Sequence, residues 1–162
     1  MLKTNVVAAV VLVLAGCASS AGPIEQRTTQ GPNAQEFFVN RTLLENGREP
    51  SFEERRHWDN QIEDKISVYL REHPEVANSL DVSTFRFDRR AALGMSKEQV
   101  VILLGEPALT TTDAAAMEKL ARQYWPAIRA RKVTETWSYP GGWHLYFAGE
   151  KLADITQYYD KQ

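Results

Sequence analysis

One stretch near the middle of the chain limits what the rest can build: Gly94-Met-Ser-Lys-Glu-Gln-Val-Val-Ile-Leu-Leu-Gly-Glu-Pro107. It holds the start, body and stop of one helix. Ser96 is a good N-cap, and Gln99, three positions on, can reach back to close a capping box. Met95 and Val100 have the spacing of a hydrophobic staple. Val100, Val101, Leu103 and Leu104 make the face that must be buried. Gly105 can take the left-handed conformation that ends a helix, and Pro107 prevents its resumption. A helix of roughly eight residues does not persist alone in water. It must dock, and the strand-like sequence after residue 130 is the expected partner.

The chain has 162 residues, 43% of them hydrophobic, a net charge of -2 and one cysteine. That suffices for one domain of ordinary size. The lack of a basic excess argues against nucleic acid as a partner. One cysteine cannot form an internal disulfide or a Cys-rich zinc site. Its position suggests another use. Lys3 precedes an unbroken apolar run over residues 6–14, too short to span a bilayer. Then comes Leu14-Ala15-Gly16-Cys17, which resembles the lipobox of bacterial lipoproteins. The resemblance implies that residues 1–16 are a signal peptide removed before Cys17. The Cys17 thiol would carry a diacylglycerol and the new amine an acyl chain. At about 0.8 kcal/mol per buried methylene, several chains anchor a protein firmly. Ala18 in place of aspartate implies sorting to the outer membrane, on its periplasmic face. The alternative is a short buried strand with an incidental cysteine.

Residues 17–50 read as a flexible tether, with Gly22-Pro23, Gly31-Pro32 and few large apolar residues. Within it, residues 35–45 carry Phe37, Phe38, Val39, Leu43 and Leu44. These can form a short helix that docks on the domain or serves as a partner-binding peptide. Residues 51–93 read as helical. Ser51 and Glu54 form a second capping box, and Phe52, His57 or Trp58, Ile62, Ile66, Tyr69 and Leu70 recur at helical spacing to about residue 72. His73-Pro74 interrupts that helix. A further helix, capped by Asp81 or Ser83, would contain Phe85, Phe87, Ala91, Ala92 and Leu93. Arg86, Arg89 and Arg90 on it form either an anion site or a solvated face.

Residues 94–162 read as an α+β domain. Asp113 caps an inserted helix over about residues 113–132, which Pro126 should kink or split. Residues 133–139 and 143–147 alternate as strands around the turn Pro140-Gly-Gly142, and a third strand starts at Leu152. Trp137, Leu145, Phe147 and Ile155 should face the helix that begins at Ser96, with His144 on the opposite, solvent-facing side. Aromatic pairs of this kind serve as sheet core or as a binding face. Trp143, His144 and Tyr146, with Arg86, Arg89 and Arg90, are the candidate interaction surface.

Gly94-Met-Ser-Lys-Glu-Gln-Val100, Leu104-Gly-Glu-Pro107, Trp137-Ser-Tyr139, Leu145-Tyr-Phe147 and Lys151-Leu152, in that order, resemble the BamE/SmpA/OmlA-like lipoprotein family. The match covers about residues 93–158. It implies helices packed on a three-stranded antiparallel sheet, here with extra N-terminal helices and an inserted helix. It also implies a periplasmic, non-enzymatic module supporting β-barrel assembly or envelope integrity, anchored in the membrane by its lipid and contacting outer-membrane assembly proteins. The sequence departs from the pattern in its insertion, in Gly149-Glu150 at the last hairpin, and in its long segment 51–93.

No motif points to catalysis, a metal or a cofactor. His57, His73 and His144 lack metal-ligand spacing, and there is no Gly-x-Ser-x-Gly elbow. Asp81, Asp88, Glu135 and Asp154 can pair in space, but their spacing does not require it. The rival reading is an envelope lipoprotein that binds peptidoglycan, lipid or another small ligand.

Overall fold

The computed structural model describes residues 24–159. The expected signal peptide, residues 1–16, and the expected acylation site Cys17 lie outside the described residues. The order is β1 (Ile24–Thr28), β2 (Gln30–Asn33), α1 (Ala34–Asn46), α2 (Phe52–Glu72), α3 (Pro74–Ala77), a π-turn (Thr84–Asp88), β3 (Arg90–Ala92) and α4 (Lys97–Leu104). Then follow β4 (Leu109–Thr111), α5 (Ala114–Ala121), a 3-10 turn (Arg122–Tyr124), α6 (Trp125–Arg129), β5 (Glu135–Tyr139), β6 (Trp143–Ala148) and β7 (Lys151–Tyr159).

The fold is α+β, but its sheet has five strands, not three. The order is β1-β7-β6-β5-β4, antiparallel throughout, and β2 with β3 forms a separate two-stranded ribbon. The expected meander is its centre, extended by one strand on each side. The extension at β1 corrects the reading of residues 24–50 as tether. β1 has little apolar content; its strand character comes from pairing along β7 and from Arg27 bonded to Asp154. Asn33 caps α1 by accepting from the Gln35 and Glu36 amides, and Gly47 ends it in the left-handed conformation. Phe37 then meets Tyr139 edge-on at 5.7 Å, and Phe38 stacks on Trp58 at 4.9 Å. The segment 35–45 therefore docks.

Both expected capping boxes form, at Ser51/Glu54 and Ser96/Gln99. Gly105 has φ 77° but ψ -170°, so α4 ends in an extended mirror conformation that favours glycine, not in the left-handed helical one. The helix expected over residues 81–93 does not form. A π-turn ends at Arg89, whose φ is 46°, and the chain leaves as β3. Ala91 is buried close to Gly31, and Phe85 is buried while Phe87 is exposed. The inserted segment splits at Arg122, four residues before Pro126. In a continuous helix the proline ring would strike the carbonyl at that position and would supply no N–H to bond it. Pro126 instead lies in the first turn of α6.

The sheet separates two apolar clusters. On one face Trp137, Tyr139, Leu145, Phe147, Leu152 and Ile155 meet Val100, Leu103 and Leu104 of α4, with Ile62 and Ile66 of α2. On the other, Tyr146 meets Met117, Ala121, Trp125 and Ile128 of α5 and α6. The β5–β6 turn is fixed by Gly142. Its φ is 72°, and an added Cβ would lie 1.4 Å from the Tyr158 carbonyl oxygen. Gly149 also has positive φ (61°) but has open space around it. Gly149→Ala should therefore cost about 1–2 kcal/mol of stability, and Gly142→Ala clearly more, since β7 backbone must move. Urea unfolding midpoints of the two variants check the order.

Candidate functional site

Pieces far apart in sequence meet at the start of α4. The Gly94 amide donates to the Leu152 carbonyl at 2.8 Å, and the Leu152 amide to the Met95 carbonyl at 2.8 Å. The Lys97 amide donates to the Glu150 carbonyl at 3.1 Å. The Lys97 ammonium bonds the Glu135 carboxylate and lies 5.9 Å and 5.7 Å from the Trp137 and Phe147 ring centres. The Trp137 indole donates to Glu135 at 2.6 Å. Burial works against the Glu135 charge, but the Lys97 and Trp137 bonds prevail and hold its carboxyl below the usual range. The Glu135 bond likewise raises the Lys97 ammonium. At the other end of α4, the Tyr139 hydroxyl donates to the Gly105 carbonyl at 2.9 Å. This assembly is a structural clasp whose polar groups bond one another.

The opposite sheet face is polar in a different way. Asp154 is buried on β7 and takes both Arg27 donors, at 2.9 Å and 2.7 Å. Arg131 Nε lies 3.1 Å from the same carboxylate. Two guanidinium groups against one carboxylate leave one net positive charge. They border a cavity of about 540 Å³ that Thr28, Thr29, Leu93 and Tyr124 also line. Deeper in, Tyr146 and Thr156 share a hydroxyl bond at 3.1 Å, and the buried Thr136 hydroxyl has no partner among the described residues. Towards the Tyr139 end, Ser138 Oγ lies 2.9 Å from His144 Nδ1, and the Arg122 guanidinium covers the Tyr158 ring.

The six residues read from sequence as an interaction surface do not form one. Tyr146 is fully buried, and burial pushes its phenol up to about 12, so it cannot contact a partner. His144 is half-buried on the face covered by α5 and α6, not solvent-facing. Trp143 is half-buried beside Gly141 in the turn. The three arginines make separate contacts. Arg89 bridges Asp59 and Glu63 of α2, Arg90 donates to the Gly31 carbonyl, and Arg86 lies over the Phe87 ring. Arg86 and Arg89 border one cavity of about 180 Å³, which Glu63 and Asp88 line as well, while Arg90 is turned to the Gly31 carbonyl. The Asp154–Arg27–Arg131 group escaped the sequence reading as a group. Its one signal was a carboxylate in a strand rich in buried residues. Among the described residues no cluster of three or more His, Cys, Asp or Glu side chains is placed to hold a metal, and no helix is long and apolar enough to cross a membrane. No protein-family model, curated protein or solved structure matches the chain.

Two outcomes are expected. Asp154→Asn, which leaves two arginines facing a neutral amide, should lower stability by about 2–4 kcal/mol. Arg131→Ala, at a half-exposed position, should cost no more than about 1 kcal/mol. Denaturant titration separates them. The second concerns pH. Burial, helped by Arg122, lowers the His144 pKa below 6.5. As pH falls through that value the unfolded chain takes up a proton that the folded chain refuses, so stability drops. His144→Gln should flatten the dependence of the unfolding midpoint on pH between about 5 and 7.

Proposed function

We propose that this chain is a lipid-anchored lipoprotein on the periplasmic face of the outer membrane. It acts there as a non-enzymatic, BamE-like protein–protein interaction module in β-barrel assembly or envelope integrity. The observation that carries this reading is the convergence at α4. The segments that resemble the family, at residues 94–107, 137–139, 145–147 and 151–152, lie apart in sequence yet bond one another around Gly94, Lys97, Glu135 and Leu152. A chance set of short motifs has no reason to meet. The Leu14-Ala15-Gly16-Cys17 sequence upstream supplies the anchor.

The ligand-binding reading loses its aromatic face, because Trp137 and Phe147 are core. One observation still favours it: the cavity beside Arg27 and Arg131 carries an excess of positive charge, so its ligand would be an anion.

Cross-linked envelopes containing the tagged, acylated protein test the proposal. Barrel-assembly proteins should co-purify, and Cys17→Ala should accumulate as unprocessed, unacylated precursor. Normal processing and membrane fractionation of Cys17→Ala would remove the anchor. A normally acylated protein that recovers no assembly components would leave the anion-binding reading in place.

A further inference from the structure

We propose that one end of this domain, the end nearest Cys17, rests on the lipid bilayer through exposed apolar side chains. The inference depends on the acylation of Cys17 proposed above. Ile24 stands seven positions after Cys17. Even a fully extended chain of that length reaches at most about 25 Å. The start of β1 therefore stays within about 25 Å of the membrane, close to the length of about 26 Å of the nine-residue β7.

The topology identifies what shares that end. Ile24 pairs with Tyr159, the last described residue of β7, and Tyr158 bonds Gly142 in the β5–β6 turn. Tyr139 precedes that turn and bonds Gly105 at the end of α4, and the Arg41 guanidinium lies beside Gly105. The C-terminal part of α1 thus projects at the same end, and the short connection 47–51 starts α2 there. α2 then runs away: its Tyr69 hydroxyl lies 3.3 Å from Ser96, which bridges Lys151 at the start of β7. Five of the eight exposed large hydrophobics among the described residues, Leu43, Leu44, Phe52, Leu109 and Tyr159, belong to the Ile24 end, while Leu80, the most exposed, lies at the far end. Leu44 is 73% exposed and Phe52 74%, although both lie in or beside well-formed helices.

Such side chains on the tethered end fit a bilayer better than water. Trp143 in the nearby turn and Tyr159 are the amphipathic ring types that settle at the headgroup level. The charges around Phe52 are paired with one another, Arg48 with Glu54, Arg55 with Glu49 and Arg56 with Glu53. They add little net charge, so the contact does not require anionic lipid. The acyl chains supply the anchoring, and the surface contact sets the orientation of the domain.

The test uses the full acylated protein in phosphatidylcholine vesicles. Acylation consumes the only native thiol, so Leu44→Cys, Phe52→Cys and Leu80→Cys each offer one site for a nitroxide label. All three positions are exposed, which protects folding. Residue 80 belongs to the segment lining a cavity with Lys151, at the far end. Labels at 44 and 52 should show a several-fold higher ratio of oxygen to aqueous nickel-complex accessibility than the label at 80. Equal, water-like ratios at all three, on protein whose intact mass carries the acyl chains, would overturn the docked end while leaving the lipoprotein reading intact. An intact mass without acyl chains would overturn both.

Discussion

The pair of backbone hydrogen bonds between Gly94, Met95 and Leu152 is the constraint on which the rest depends. It attaches the entry of α4 to β7 as if it were another strand. The capping box then starts the helix at a fixed point, and its buried side chains fall on the sheet without adjustment. The eight-residue helix is too short to be stable alone, and the sheet has an apolar face that must be covered. Burying Val100, Leu103 and Leu104 against the sheet, at roughly 1.5–3 kcal/mol each, is what makes them one unit. The Lys97–Glu135 bond sits at the edge of that contact and orients it more than it strengthens it, because both groups keep some exposure.

The other face of the sheet is governed by a buried charge. β1 is too polar to find its place by hydrophobic pattern. A slip of one residue would move Arg27 to the opposite side and strand Asp154 without its bidentate partner. Arg27 and Asp154 therefore fix the register of β1, and Arg131 draws the end of α6 onto the same point. A buried ion pair of this kind is a poor source of stability compared with a packed apolar group. Its contribution here is to specify which edge of the sheet is closed and how.

These two faces explain what could be read from the sequence. The α4 caps, both capping boxes and the break at His73-Pro74 are local, so neighbouring residues are enough to reveal them. The alternation around Trp137 and Leu145 is likewise local and identified the α4-facing side. β1 was invisible because its partner strand is more than a hundred residues away and its own composition resembles a linker. The expected helix over 81–93 failed for a related reason. Arg89 takes positive φ while bridging two carboxylates of α2, a long-range arrangement that propensity cannot report. The candidate surface failed because strand alternation told which side His144 and Tyr146 occupy, but not that α5 and α6 would cover it.

The fold also gives the Ile24 end and the Lys151 end different chemistry. If the tethered end lies on lipid, the surface that remains for proteins is the far end and the flanks. The far end holds a cavity of about 510 Å³ bordered by Glu75, Ser79, Asp81, Gln99 and Lys151, with polar groups of both signs. It lies against the α4 clasp, since Lys151 bridges Ser96 and the Gly94 amide bonds Leu152. A contact there would bear on the same hydrogen bonds that unite helix and sheet. The α5–α6 insertion instead covers a flank and shields Tyr146 and Thr156, so it acts first as a lid on a polar sheet face. Partner choice through that insertion would have to use its outer surface, because its inner surface is committed to the second core.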